Sequence, residues 1–255
     1  MPEAQSLSAS PVAPSAGLSQ VERIVDTFVA PSKTFADIRR SASWWVPFLL
    51  ALAIGMGFTL TAIHQIGYPK LADGVIAQNA SLQNTIDSST PAQAAQIHAK
   101  VESQFKYIVY SSPVIILLVA LLCAGVLLAT ANFGLGGEAN FGQMLAVWFY
   151  GTLPLVFISL LAIIAIVAGL GTDSFNMQNP VGTNIGYYIP SDSAKWLKHL
   201  LDSMDILSFW SACLLAIGVS IVAKVKRGAA VAAVFGWWIL YILVLKVGLP
   251  SLTGS

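Results

Sequence analysis

The residues in this chain that could do acid, base, nucleophilic or metal chemistry are few and scattered. His64, His98 and His199 stand far apart in sequence. None belongs to a His-Glu-x-x-His pair, which would set two imidazoles on one helix face around a zinc ion, so no metal site is expected. Cys123 and Cys213 fall inside long apolar blocks. A thiol there behaves as a small buried hydrophobe, and the two cysteines define neither a disulfide framework nor a metal site. Glu138 stands isolated in a Gly-rich turn, and Asp202 and Asp205 flank the start of an apolar helix, where a carboxylate complements the helix dipole. Lys246 is close enough to the end of the last apolar block to snorkel. A Ser nucleophile elbow, a phosphate-binding Gly loop and the paired acids of a glycosidase are all missing from the sequence. The expectation is therefore a protein with no catalytic residue and no cofactor.

The elements that would position these residues follow from composition. Of 255 residues, 56% are hydrophobic and 10% charged, against roughly 25% charged in an ordinary soluble domain. So few charges cannot cover a water-facing surface. The apolar residues come in blocks of about 18 to 30, and roughly 20 helical residues cross a hydrocarbon core. The net charge is +1 with no basic cluster, which gives no reason to expect nucleic acid as a partner. The predicted fold class is all-α, a polytopic transmembrane bundle.

Five spans are predicted, over about 44–66, 108–131, 141–170, 206–223 and 228–249, within a membrane domain 44–250. Residues 1–18, rich in Ser, Ala and Pro and lacking a signal-peptide core, read as a disordered tail. Residues 19–43 read as a cytoplasmic amphipathic segment at the membrane surface. It opens with the capping box Ser19-Gln-Val-Glu22, carries apolar Val21, Ile24, Val25 and Phe28, and sets Lys33, Arg39 and Arg40 among lipid headgroups. Exposed loops are expected at 67–107 and 171–205. In the first, Thr90-Pro91-Ala-Gln93 should start a helix that runs toward the second span. In the second, Asn179-Pro180 and the glycines that follow favour turns over regular structure. Pro154, near the middle of the third apolar block, removes a backbone hydrogen bond and should kink that helix.

The short Gly134-Leu-Gly-Gly-Glu138 turn and the Lys224-Val-Lys-Arg227 turn make spans two and three, and spans four and five, antiparallel neighbours. Small residues at four-residue spacing, Ala212, Ala216 and Ser220, then Ala229 and Ala233 with Ala232 and Gly236, would let helix backbones approach closely in lipid. Arg39, Arg40, Lys224, Lys226 and Arg227 fall on one side of a five-span chain. By the positive-inside rule that side is cytoplasmic, which places the N-terminus inside and the C-terminus outside.

Several segments taken together resemble the Yip-domain family of five-span membrane proteins, over about residues 20–248. They are Phe28-Val-Ala-Pro31-Ser-Lys-Thr-Phe35-Ala-Asp-Ile38 and Gly137-Glu138-Ala-Asn-Phe141-Gly-Gln143 with Tyr150 and Pro154 beyond it. Asn179-Pro180-Val-Gly-Thr-Asn-Ile185 and Asp205-Ile-Leu-Ser-Phe-Trp210 leading to Ala216-Ile-Gly218 complete the set. The resemblance implies a cytoplasmic N-terminus, a C-terminus across the membrane and no catalytic residues. Eukaryotic members are associated with Rab GTPases and vesicle traffic, whereas this chain looks more like the prokaryotic members, which implies the cytoplasmic membrane. The candidate positions are Glu138, Pro154, Asn179, Pro180, Asp205 and Gly218. The expected role is a membrane scaffold or adaptor, with lipid, other membrane proteins or a second copy as partners. A transporter or channel is the alternative, motivated by Pro154 and by Gly55, Gly57 and Gly125 inside other spans.

Overall fold

A computed structural model describes residues 17–170, 175–190 and 193–249; of the expected tail, 1–16 lie outside the described residues. Three helices open with reciprocal capping, in which a side chain accepts the N3 amide and the N3 side chain accepts the cap amide. Helix α1 (Gln20–Val29) uses Ser19 and Glu22. After it come α2 (Pro31–Ile38), α3 (Trp45–Gln65), α4 (Tyr68–Gln78) and α5 (Ala80–Asp87). Helix α6 (Pro91–Ala129) uses Thr90 and Gln93, and α7 (Phe141–Gly151) uses Asn140 and Gln143. The chain continues through α8 (Val156–Val167), α9 (Lys195–Asp202), α10 (Ile206–Val222) and α11 (Arg227–Tyr241). The described residues contain no strand.

Four helices are long and apolar enough to cross a membrane: Trp45–Gln65, Pro91–Gly134, Phe141–Val167 and Arg227–Gly248. Ile206–Val222 is a shorter apolar helix. It lies at the centre of the molecule, packed against α11, α7 and α2. Its Ala212, Ala216 and Val219 meet Met144, Val147 and Tyr150 of α7 in one core with Ala120 and Ala124 of α6. Outside that core, Leu60, Leu118, Ile164 and Leu243 are exposed. Such a continuous apolar exterior is unsuited to water and fits hydrocarbon, where helices satisfy their own backbone groups. The protein is a multi-pass membrane protein.

Pro154 does what its chemistry dictates. Helix α7 stops at Gly151, a 3-10 turn covers Leu153–Leu155, and α8 resumes at Val156. The stretch 67–107 holds more order than its polarity implied. Gly67, at φ +88°, turns the chain out of α3, and Pro69 starts α4. Ala72 and Ile76 of α4 then bury against Val101 of α6. Helix α6 runs unbroken from Pro91, with Pro113 accommodated inside it.

The N-terminal segment, expected as an amphipathic stretch, carries Pro31 at a helix start. It forms two helices, and α2 buries Phe35 and Ile38 completely in the bundle core.

Candidate functional site

At one end of the bundle, here the near end, the turns 131–141 and 223–227 meet the N-terminal hairpin. Arg23 and Thr27, one helical turn apart on α1, point inward and are buried. The Arg23 guanidinium donates from Nε to Asp37 Oδ2 at 2.7 Å and from Nη1 to the Ser41 carbonyl at 2.9 Å, while Nη2 lies 2.6 Å from Asp37 Oδ2. Thr27 and Thr34 both donate hydroxyls to the Arg23 carbonyl. Arg40 holds the other Asp37 oxygen, Oδ1, from Nε at 3.0 Å and Nη2 at 2.9 Å. Burial alone would raise the Asp37 carboxyl. The hydrogen bonds from Arg40 and the charge of Arg23 outweigh it and hold the group below the ordinary aspartate value.

This ion pair is anchored to the bundle on three sides. The Tyr150 hydroxyl donates to Gln20 Oε1 at 3.1 Å, the Gln20 amide donates to Ser43 Oγ at 3.1 Å, and Gln143 donates to the Arg39 carbonyl at 3.1 Å. Gly218 faces Phe35. A Cβ there would sit 2.8 Å from Phe35 Cε1 and 2.8 Å from Val147 Cγ1, so the α2–α10 contact needs a glycine.

Glu138 is not isolated. Lys224 donates to its Oε2 at 2.8 Å, and the Glu138 amide donates to the Ala223 carbonyl at 3.1 Å. Lys224 takes φ +57° to end α10, a conformation uncommon for a side chain with a Cβ. Gly137 permits the approach, since a Cβ there would come within 2.9 Å of Ala223 Cβ and its carbonyl oxygen. The two near-end turns, 86 residues apart in sequence, are thus tied together. The Lys224 hydrogen bond, followed by its charge, lowers the Glu138 pKa.

At the far end, the loop before α10 closes into a polar knot. Asn179 and Asn184 exchange side-chain amide bonds at 3.2 and 2.7 Å, and Asn179 Nδ2 also donates to Asp202 Oδ1 at 2.8 Å. Asp205 caps α10 by accepting from the Leu207 and Ser208 amides, both at 2.9 Å. Its second oxygen accepts the Thr183 hydroxyl, and the Ile206 amide donates to the Thr183 carbonyl. Asn179, Asn184 and Asp205 are all buried. Gly186 has no room for a side chain, because a Cβ would fall 2.5 Å from the Asp202 amide nitrogen.

The Yip1 domain family model matches residues 25–248. The chain belongs to the Yip1-domain family. No curated protein and no solved structure matches it. The stretches that carried the resemblance supply contacts between separate elements of this Yip1 domain. Phe35 and Gly218 form one contact, Glu138 holds the near-end tie, and Asn179 and Asp205 belong to the far-end knot, with Pro180 next to Asn179 in sequence.

The candidates do not converge on one cleft. Gly218 and Glu138 serve the near end, Asn179, Pro180 and Asp205 the far end, and Pro154 is buried between them. Among the described residues, no group of three or more His, Cys, Asp or Glu could hold a metal ion. Sequence reasoning missed Arg23 as the partner of Asp37. Arg23 and Thr27 share one face of an amphipathic helix that also carries Gln20, Glu22 and Asp26, and nothing in that pattern says which polar residues turn inward.

Replacing Asp205 by Ala in this Yip1 domain should cost about 0.5–2 kcal/mol, the usual range for a lost N-cap. Thermal unfolding of the detergent-solubilised protein, followed by circular dichroism, checks this. An unchanged midpoint would show that the cap and the Thr183 bond contribute nothing.

Proposed function

We propose that this Yip1-domain protein is a non-catalytic integral membrane scaffold or adaptor of the cytoplasmic membrane of a prokaryote, engaging lipid, other membrane proteins or its own copies. The observation that carries this reading is the use made of buried polar groups. Arg23 with Asp37, and Asn179 with Asn184 and Asp202, are spent on one another as fasteners. A reaction centre would present such groups to a cleft. Five spans follow if the shorter α10, about 25 Å long at 1.5 Å per residue, crosses within the shelter of its neighbours. Arg39 and Arg40 at the end of α2 and Lys224, Lys226 and Arg227 in the α10–α11 turn share the near end, which favours a cytoplasmic near end and N-terminus, with the C-terminus outside. Ala232 and Gly236 are exposed on α11, with open space at Gly236, which suits close approach by another helix.

Crosslinking in the native membrane followed by affinity isolation tests the scaffold. Defined protein partners are the expected result, and a monodisperse chain without partners under mild extraction would reject it. The second reading, a transporter or channel for a small solute or ion, takes its motive from the break at Pro154. Leu215 fills the space beside that break, since a Cβ on Gly151 would meet its side chain at 2.6 Å. Solute flux in reconstituted vesicles that disappears in Pro154→Leu would favour transport over the scaffold.

A further inference from the structure

Helices α1 and α2 contact the third span at a series of levels, and that span serves as a depth gauge. Reading along it from the near end, Gln143 bonds to the Arg39 carbonyl, Val147 lies at Phe35, Tyr150 bonds to Gln20, and Phe157 packs on Phe28 with ring centroids 5.5 Å apart. On α1, the eight-residue step from Gln20 to Phe28 matches the seven-residue step from Tyr150 to Phe157. On α2, the four-residue step from Phe35 to Arg39 matches the step from Val147 back to Gln143. Helix α1 therefore runs down the span and α2 runs back up it. At 1.5 Å per residue, Gln143 to Phe157 is about 21 Å. Phe28 also meets Trp210, at 5.6 Å, within about one turn of the far end of α10. The turn between α1 and α2 thus lies beyond Pro154, the middle of the third span.

The polarity of α1 is inverted relative to a water-exposed helix. Arg23 and Thr27 face inward, whereas Val21, Val25 and Val29 are 73%, 52% and 73% exposed. In water such a helix would turn its arginine out and its valines in. In hydrocarbon, polar groups must be satisfied internally and apolar ones face outward. Arg23 obeys this rule in its pairing with Asp37. Lys33 near the turn keeps its ammonium 3.0 Å from Asp26 with a side chain 63% exposed, and Glu22, also exposed, sits in the first turn, two residues from the Gln20 that bonds to Ser43 ahead of α3. Arg39 and Arg40 stand where α2 leaves.

We infer that residues 20–38 form a re-entrant helical hairpin whose valine ridge is covered by lipid acyl chains, entering from the near end and turning back past mid-bilayer without crossing. The inference is independent of the scaffold reading and of which side is cytoplasmic.

Its test uses single cysteines at Val21, Val25 and Val29 in the full chain with Cys123→Ala and Cys213→Ala, spin-labelled and reconstituted in phosphatidylcholine–phosphatidylglycerol vesicles. Leu118 in the second span serves as lipid reference and Ser88 as water reference. The ratio of oxygen to nickel-chelate accessibility should rise from Val21 to Val29 and reach the Leu118 value. A flat profile across the three positions, or values like Ser88, would overturn the insertion. A second measurement leaves the chain unaltered. A phospholipid with a mid-chain diazirine should label the peptide containing Val25 and Val29 on irradiation, and labelling of that peptide by a headgroup probe alone would place it at the surface instead.

Discussion

Arg23→Ala is expected to destabilise the folded protein by about 3–5 kcal/mol, the range for removing one partner of a buried ion pair. The magnitude reflects what is left behind: the Asp37 carboxylate loses its inward partner, and the Ser41 carbonyl loses a donor. The double variant Arg23→Met with Asp37→Leu should recover most of that loss, because a well-packed apolar pair often matches a buried ion pair in stability. Unfolding by titration with sodium dodecyl sulfate, followed by far-ultraviolet circular dichroism, measures both. Equal destabilisation in the single and double variants would mean that the pair is not coupled.

The same pair sets a pH dependence. The folded-state pKa of Asp37 lies below its unfolded value, so its contribution is fully present above the ordinary aspartate pKa and is lost as pH falls through the lower folded value. Acidification should therefore destabilise the wild type only below the usual carboxylate range. In Arg23→Ala burial is less opposed, the folded-state pKa moves back toward the unfolded one, and the acid-induced loss should shrink. Identical acid profiles for the two proteins would exclude Asp37 as the titrating group.

The second large effect is expected at Gly218. Leucine there must displace Phe35 or Val147, and overpacking of this kind costs about 1–3 kcal/mol. Because Phe35 anchors α2, the hairpin should loosen before the bundle does. Trypsin cleavage after Lys33 or Arg39 reports that directly and should accelerate in Gly218→Leu. Phe35→Ala vacates the contested space, so the double variant should be more stable than the sum of the two single losses. Additive losses would show that Phe35 and Gly218 do not compete for the same volume.

Helical periodicity placed Val21, Ile24, Val25 and Phe28 on one apolar stripe, and the structure divides it. Ile24 and Phe28 pack toward the core, while Val21 and Val25 face outward. Periodicity identifies which residues share a face; in a membrane protein it does not say whether that face meets protein or lipid, since both are apolar. Local signals were legible for the same reason that they are local. The Ser19 and Thr90 caps and the Pro154 break depend on residues within one turn. Arg23 with Asp37 and Glu138 with Lys224 depend on the packing of separate elements, and no spacing rule joins them. Helix α4 was obscured by its mixed composition and becomes visible through the burial of Leu71, Ala72 and Ile76.

Helix α6 has a mechanical consequence. Its 39 residues amount to roughly 58 Å at 1.5 Å per residue, nearly twice a hydrocarbon thickness of about 30 Å. The surplus projects past the far end as a stiff mast, with α4 lashed along it through Ala72, Ile76 and Val101. Pro113 is where its hydrogen-bond ladder is interrupted. A sideways load applied to the mast is therefore delivered to the second span as tilt, with Pro113 as the point of flexure, so whatever grips α4 or α5 also sets the lean of a helix within the bilayer.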